Sequence, residues 1–205
     1  MKVNNNTWNK IRYTIYTPVY DFIGGYFNDS RKKSIDSLEI MAGEKVLLIG
    51  GGTGLDLEFL PDDCKITITD ITESMLDKVR IKNKKLQKDV TILKMDGQNL
   101  SFQDESFDKI ILHLILAVIP DPVACIKETE RVLRKGGKVV VFDKFIRENK
   151  VPGFLRRFVN LFTNFLFSDI TRKFSTLIKG TKLKLISDKE ADFKGNFRII
   201  LLEKL

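Results

Sequence analysis

Short apolar runs alternate with longer amphipathic stretches along most of this chain, and the alternation sets the expected architecture. Five runs rich in branched residues predict strands, and stretches with apolar residues three and four positions apart predict helices between them. The predicted strands are Lys45–Ile49, Lys65–Thr69, Val90–Lys94, Lys109–His113 and Gly137–Phe142. The predicted helices are Leu55–Leu60, Glu73–Leu86 and Pro122–Leu133. Strands that alternate with crossover helices indicate an α/β fold with a mostly parallel sheet and helices on both faces.

The third helix and the C-terminal part of the chain complete this pattern. Arg134 to Gly137 place two cations and two glycines where a helix C-terminus favours them. Residues 182–187 and 196–203 predict an antiparallel pair that closes the sheet, which gives seven strands with an antiparallel C-terminal strand.

A glycine-rich turn directly follows the first predicted strand. Gly50, Gly52 and Gly54 remove side chains where a ligand must come close to the backbone, and the helix that follows offers free N–H groups. The dinucleotide fingerprint needs its third glycine one position later, where this chain has Leu55. The turn therefore predicts a nucleotide-type cofactor other than NAD.

Two acids stand at the ends of the next two strands. Asp70 lies 20 residues after Gly50, where a carboxylate can accept both hydroxyls of a ribose. Asp96 follows the third strand, where it can accept from an adenine amino group. A glycine turn with an acid at the end of each following strand is a far more specific signal than the turn alone.

Composition indicates one ordinary globular domain. The chain has 205 residues, 43% of them hydrophobic and 30% charged. Its longest apolar run is far shorter than the roughly 20 residues of a spanning helix, and the N-terminus lacks the apolar core of a secretory signal. Cys64 and Cys125 form no disulfide framework. We expect a cytoplasmic protein with two free thiols and no metal.

The net charge of +8 is confined to the last third, because residues 1–143 balance and residues 144–205 carry the whole excess. Phe154, Phe158, Leu161 and Phe165 recur there at helical spacing, with Arg156 and other polar residues on the remaining faces. This helix is predicted either to cap the active site or to contact an anionic membrane peripherally, and a solvated lysine-rich face is the third alternative.

The segments divide the predicted domain, 1–205, into four parts. Residues 1–40 form an N-terminal aromatic cap, 41–143 the cofactor-binding core, 144–180 a basic amphipathic cap insertion and 181–205 the closing strands. The sequence makes no prediction of oligomeric state.

Taken together, these motifs resemble those of the class I S-adenosylmethionine-dependent methyltransferases. Residues 46–54 are similar to that family's first motif, residues 68–75 to its second, and Asp96 with Gly97 to its adenine motif. The resemblance implies a Rossmann-like methyltransferase fold and S-adenosyl-L-methionine as cofactor. It assigns the methionine moiety to the three glycines, the ribose to Asp70, the adenosine to Met75 and the adenine to Asp96. The implied cofactor-binding residues are Gly50, Gly52, Gly54, Asp70, Ile71, Met75, Asp96 and Gly97. The family often has an acid two positions before the first glycine, where this chain has Leu48.

A narrower resemblance concerns the acceptor. Residues 20–27 with Arg31, residues 118–122 and residues 142–145 are similar to bacterial phosphatidylethanolamine N-methyltransferases, and in part to quinone-biosynthesis C-methyltransferases. It implies methyl transfer to a lipid or lipophilic small molecule, first the amine of phosphatidylethanolamine, with a quinone or small metabolite as the alternative. A nucleic-acid methyltransferase is disfavoured because no RNA-binding module appears, and no nucleic-acid partner is expected. A non-catalytic cofactor-binding protein is the remaining alternative, supported by Leu48.

A lipid amine has an unperturbed pKa of about 10, so it must lose a proton before it can accept a methyl group. His113, at the end of the fourth strand, is the candidate base, and a hydrogen-bonded core histidine is the alternative. Asp143 either holds the ammonium group or caps the next segment. Tyr20 is a further catalytic candidate. Acceptor binding is predicted for Tyr16, Tyr26 and Phe158, and a lid with exposed hydroxyls is the alternative for the tyrosines.

Overall fold

The computed structural model describes residues 5–7, 11, 25–145, 173–192 and 196–205. Within these ranges the strands are β1 Lys45–Ile49, β2 Lys65–Asp70, β3 Val90–Lys94, β4 Phe107–His113, β5 Leu133–Lys144, β6 Leu183–Glu190 and β7 Phe197–Lys204. The α-helices there are α1 Asn28–Asp36, α2 Glu73–Leu86, α3 Pro122–Val132 and α4 Phe174–Ile178. Two short 3-10 helices span Gly25–Phe27 and Leu55–Phe59.

The strands form one seven-stranded sheet in the order β3-β2-β1-β4-β5-β7-β6. Strands β1 to β5 run parallel, and β7 pairs antiparallel with both β5 and β6. The predicted fold class is confirmed. The order reverses between β1 and β4, and the crevice at the carboxyl ends of those two strands is where open α/β sheets bind ligands.

Apolar side chains cover both faces of the sheet. Along β1, Leu47 and Ile49 join the core cluster under α3 and α4, whereas Val46 and Leu48 join the cluster under α1 and α2. Successive side chains of a strand point to opposite faces, so a strand buried on both sides must be apolar throughout. Leu48 is 1% exposed, which explains why the sheet accepts an apolar residue there.

The sequence predicts a helix over Leu55–Leu60. The structure has a 3-10 helix, Leu55–Phe59, at this place. Leu60 has an extended backbone, with φ −82° and ψ 144°. Pro61 follows it, and a residue before proline is driven out of the helical region. Only one helical turn fits between Gly54 and Pro61.

The helix predicted over Pro122–Leu133 ends one residue earlier, and residues 134–137, expected as its C-terminal end, belong to β5. Helix α3 ends at Val132, and β5 begins at Leu133, which is fully buried and pairs with Phe107. The register of β4 and β5 then shifts, and Gly136 lies inside the irregular stretch with φ 70°. Burial of Leu133 against the sheet therefore overrides the local helix-ending signal.

The amphipathic helix predicted around residues 153–166 lies outside the described residues. The chain is described again from Lys173, and α4 packs on the α3 face of the sheet, with Phe174 in edge contact with Phe145 at 5.1 Å between ring centroids. Within the described ranges, no helix is long and apolar enough to cross a membrane.

Candidate active site

A cavity opens at the carboxyl ends of the first four strands, beside the reversal of strand order. Its volume is about 70 Å³, and it is open to solvent on one side. Seven of the eight residues that the sequence assigned to the cofactor line it, namely Gly50, Gly52, Asp70, Ile71, Met75, Asp96 and Gly97. Gly54 is not among the described lining residues, and it packs instead beside Val79 and Leu57. The turn and the two strand-end acids, although far apart in sequence, meet in one place.

The glycine turn requires its glycines for two reasons. Gly50 has φ 66° and Gly52 has φ 56°, a backbone region that other residues rarely adopt. A Cβ atom at Gly50 would also overlap the side chain of Ile115. Any side chain at position 50 would therefore strain the turn and displace the opposite wall of the cavity.

Asp70 ties the end of β2 to the glycine turn. Its Oδ2 accepts a hydrogen bond from the Gly52 N–H at 3.0 Å, and its Oδ1 accepts one from the Thr72 N–H at 2.9 Å. Burial raises the pKa of Asp70, although these two donors act in the opposite direction. Each carboxylate oxygen has two lone pairs, so Asp70 retains capacity for hydroxyl donors of a ligand.

Asp96 has a partner that sequence reasoning missed. Its Oδ2 accepts from Asn6 Nδ2 at 2.6 Å, and its Oδ1 accepts from the Gln98 N–H at 3.0 Å. Asn6 itself lines the cavity. No local signal could have identified it, because 90 positions separate it from Asp96. The N-terminal segment thus reaches the point that the sequence assigned to the adenine amino group.

The wall opposite the acids is apolar and belongs to the loop after β4. Leu114, Ile115, Val118, Ile119 and Pro120 line the cavity from this loop. Such a wall excludes water from the space between itself and the strand-end acids.

Asp143 supports this wall from behind. Its Oδ2 accepts from the Ala117 N–H at 3.0 Å, and its Oδ1 accepts from the Lys144 N–H at 2.7 Å. Its side chain is buried, and burial raises its pKa despite these donors. Of the two roles that the sequence left open for Asp143, this geometry favours capping a segment over holding an ammonium group.

A buried charged network lies on the other side of the glycine turn. Asp56 Oδ1 accepts from Arg31 Nη1 and lies beside His113 Nδ1, both at 2.8 Å, and Ser34 Oγ lies 2.9 Å from His113 Nε2. All four side chains are buried. Burial alone would raise the pKa of Asp56, but Arg31 and His113 together hold that pKa well below its usual range.

His113 therefore has a partner on each ring nitrogen. Its role as a base stays a prediction, because its Nε2 would reach an acceptor only after giving up the contact with Ser34. The aromatic rings beyond it form a layer in which Phe27 contacts Phe142 and Phe197, with ring centroids 5.7 Å and 4.8 Å away. Tyr26 is 68% exposed on the outside of this layer, as the predicted lid alternative requires. Tyr16, Tyr20 and Phe158 lie outside the described residues.

Comparisons with known proteins agree with the geometry. Residues 47–141 match a family model described as a methyltransferase domain. Over 132 residues the chain is 33% identical to the phosphatidylethanolamine N-methyltransferase of Cereibacter sphaeroides, covering 63% of this chain and 65% of that protein. Over 138 residues it is 31% identical to the ubiquinone/menaquinone biosynthesis C-methyltransferase of Shewanella woodyi, covering 64% and 54%. The chain spans less than two thirds of either relative.

A solved structure shares the fold over almost the whole chain. It is the putative methyltransferase in complex with the Trm112 methyltransferase activator of Haloferax volcanii. The TM-score is 0.79 at 14% identity, with 95% of this chain and 96% of that chain covered. The cavity brings together the two strand-end acids and the open glycine turn to which the sequence assigned the ribose, the adenine and the methionine moiety. The chain has the fold of the class I S-adenosyl-L-methionine-dependent methyltransferases and is similar to them in the motifs of its cofactor site.

Proposed function

We propose that this protein transfers the methyl group of S-adenosyl-L-methionine to a lipophilic small molecule. The acceptor that we favour is the amine of phosphatidylethanolamine. The observation that carries the proposal is the cavity in which the glycine turn, Asp70 and Asp96 meet. Its polar side suits a nucleoside, and its apolar side, the loop after β4, suits a lipophilic acceptor.

The predicted cofactor-binding residues have the following roles in this proposal. Asp70 accepts the ribose hydroxyls, Asp96 accepts the adenine amino group, and Met75 and Ile71 pack against the adenosine. The backbone around Gly50 and Gly52 receives the methionine moiety. S-adenosyl-L-methionine supplies an electrophilic methyl group on a sulfonium. The residues mainly hold the nucleophile in line with that group, and positioning of this kind supplies about 7 to 11 kcal/mol.

The apolar wall also favours the reactive form of an amine. A lipid amine with an unperturbed pKa near 10 arrives protonated in water. Burial against Ile115, Val118 and Ile119 disfavours the charged form and lowers that pKa. Both ring nitrogens of His113 have partners, so we attribute the loss of the amine proton mainly to this desolvation. His113 acts as the base only if its contact with Ser34 is broken.

Two acceptors are weighed against each other. Phosphatidylethanolamine is supported by the relative at 33% identity that carries this name, and a quinone by the relative at 31%. The basic stretch of residues 144–205 favours a phospholipid surface, since anionic headgroups attract such a segment. That stretch includes residues outside the described ranges, so membrane contact rests on sequence alone.

The test uses S-adenosyl-L-methionine with a radiolabelled methyl group. Liposomes that contain phosphatidylethanolamine, liposomes of phosphatidylcholine alone and a demethylated quinone are offered separately. The expected result is label in the lipid fraction of the first sample only, and its loss in Asp70→Ala. Label on the quinone alone identifies the alternative, and label in none of the samples contradicts a lipophilic acceptor. Anionic vesicles should raise the rate more than neutral ones if the protein contacts a membrane.

A further inference from the structure

A second, smaller cavity adjoins the first one at Gly50. Its volume is about 10 Å³, room for about one water-sized group, and the charged network forms part of its wall. Its lining residues are Arg31, Gly50, Gly51, Thr53, Leu55, Asp56 and His113. Gly50 lines both cavities, so a small group of a ligand in the first one, such as a carboxylate oxygen, lies next to the second one.

The two cavities differ in charge. Among the described residues that line the first, Asp70 and Asp96 are charged and no lysine, arginine or histidine is present. The second contains Arg31, the one Lys or Arg among the described lining residues of both. S-adenosyl-L-methionine has an uncharged adenosine at one end and a single carboxylate, in its methionine part, at the other. Among the described residues that line the two cavities, the cation suited to that carboxylate is Arg31, in the second one.

We propose that Arg31 binds the carboxylate of the cofactor's methionine end. Helix α1 buries Arg31 on the same face as Ser34, three residues later, and this face lies against the glycine turn. The ion pair with Asp56 at 2.8 Å fixes the guanidinium in place. A guanidinium carries five N–H donors in a planar fork and can bind two carboxylates at once.

Asp56 and His113 position this arginine. Asp56 stays ionised, since its pKa lies well below the usual range, and it holds Arg31 from the turn that follows Gly54. His113 holds Asp56 from the end of β4. The network thus places a positive charge beside the glycine turn, at the end of the site proposed for the methionine moiety. The inference rests on the proposed methyl donor and is independent of the acceptor.

The test compares two ligands on the same protein. Calorimetry measures the Kd of S-adenosyl-L-methionine and that of decarboxylated S-adenosylmethionine, which keeps the ammonium and sulfonium groups but lacks the carboxylate. A charge-assisted hydrogen-bonded pair predicts that the wild type binds the intact cofactor about 10- to 100-fold more tightly. In Arg31→Gln this ratio should fall to about one, with the Kd of the decarboxylated ligand nearly unchanged.

Two further variants separate binding from folding. Arg31→Gln/Asp56→Asn removes both charges, so no buried acid is left unpaired, and it should also give a ratio near one. Lys32→Gln changes the neighbouring exposed residue, which pairs with Asp36, and should keep the wild-type ratio. A ratio taken on one protein is insensitive to the fraction that is folded.

The outcomes are distinct. If the wild type binds both ligands equally, or if Arg31→Gln weakens both by the same factor, the proposal is overturned and the network is structural only. If neither ligand binds the wild type, the methyl donor itself is contradicted, and this proposal with it. A wild-type ratio of about 10 to 100 that falls to about one in Arg31→Gln supports the role of Arg31 even if phosphatidylethanolamine liposomes stay unlabelled, a result that overturns the acceptor alone.

Discussion

The two cavities on either side of Gly50 use aspartate in opposite ways. In the first, Asp70 and Asp96 are held by backbone N–H groups and neutral amides, and they remain partly exposed. In the second, Asp56 is buried against Arg31 and His113. An acid with neutral donors retains capacity for a ligand, whereas an acid paired with a buried arginine stabilises the fold and fixes the direction of that arginine. The acids of the first region are therefore proposed to bind the ligand directly, and the acid of the second acts on it only through Arg31.

Asp56→Asn should have the largest effect. It leaves Arg31 buried without its acid, and breaking a buried ion pair costs about 3 to 5 kcal/mol of the free energy of unfolding. Urea denaturation measures this loss. The matched control is Asp36→Asn, which breaks an exposed pair with Lys32 and should cost less than about 0.5 kcal/mol. Equal losses in the two variants would show that the buried network does not stabilise the fold.

Asp70→Ala should act mainly on binding. It removes the acceptor of the Gly52 and Thr72 N–H groups and the proposed acceptor of the ribose, so the Kd of S-adenosyl-L-methionine should rise by about tenfold or more. The unfolding free energy should fall by less than in Asp56→Asn, because burial already disfavours the charged form of Asp70. Calorimetry and urea denaturation are compared for both variants.

The control for Asp70 is Asp77→Ala, an exposed acid on α2 that pairs with Arg80. Its Kd should equal that of the wild type. An unchanged Kd in Asp70→Ala would remove Asp70 from the cofactor site.

Stability against pH should separate the two buried acids Asp56 and Asp143. Asp56 has a lowered pKa, so its contribution is present above its unfolded pKa of about 3.9 and is lost as the pH falls below that value. Asp143 has a raised pKa, so its relative contribution is greatest in acid and falls as the pH rises through the window above about 3.9. The cost of Asp56→Asn should therefore grow from pH 3 to pH 6, and that of Asp143→Asn should shrink.

Urea denaturation at several pH values tests these slopes. If the costs of Asp56→Asn and Asp143→Asn changed with pH in the same direction, Arg31 and His113 would not outweigh the effect of burial on the pKa of Asp56.

The smallest effect is expected from Asn6→Ala. Asn6 occupies the Asp96 oxygen proposed for the adenine amino group, and removing a hydrogen bond worth about 1 kcal/mol should tighten cofactor binding about two- to fivefold. Thr7→Ala, one position along, should leave the Kd unchanged. Weaker binding in Asn6→Ala would instead make Asn6 a contact of the bound cofactor.

Sequence patterns located the parts of the site that depend on neighbouring residues. The glycine turn, Asp70 and Asp96 each follow an apolar strand, and parallel strands bring their carboxyl ends together, so their meeting was predictable. Asn6 and the partners of His113 could not be found this way, because hydrogen bonds across 57 to 90 positions leave no periodic signal. The same limit applies to Leu133, whose burial against Phe107 decided where a helix ended.

The position of β7 also has a consequence for the order of folding. This strand is synthesised after β6 but lies between β5 and β6, so β6 has no place in the sheet until β7 has emerged. Domains begin to fold from the N-terminal part during synthesis, and pairing distant in sequence forms slowly. The five parallel strands can assemble first, whereas the aromatic layer waits for Phe197 at the start of β7. A nascent chain should thus acquire the cavity at the glycine turn before the aromatic layer beside His113.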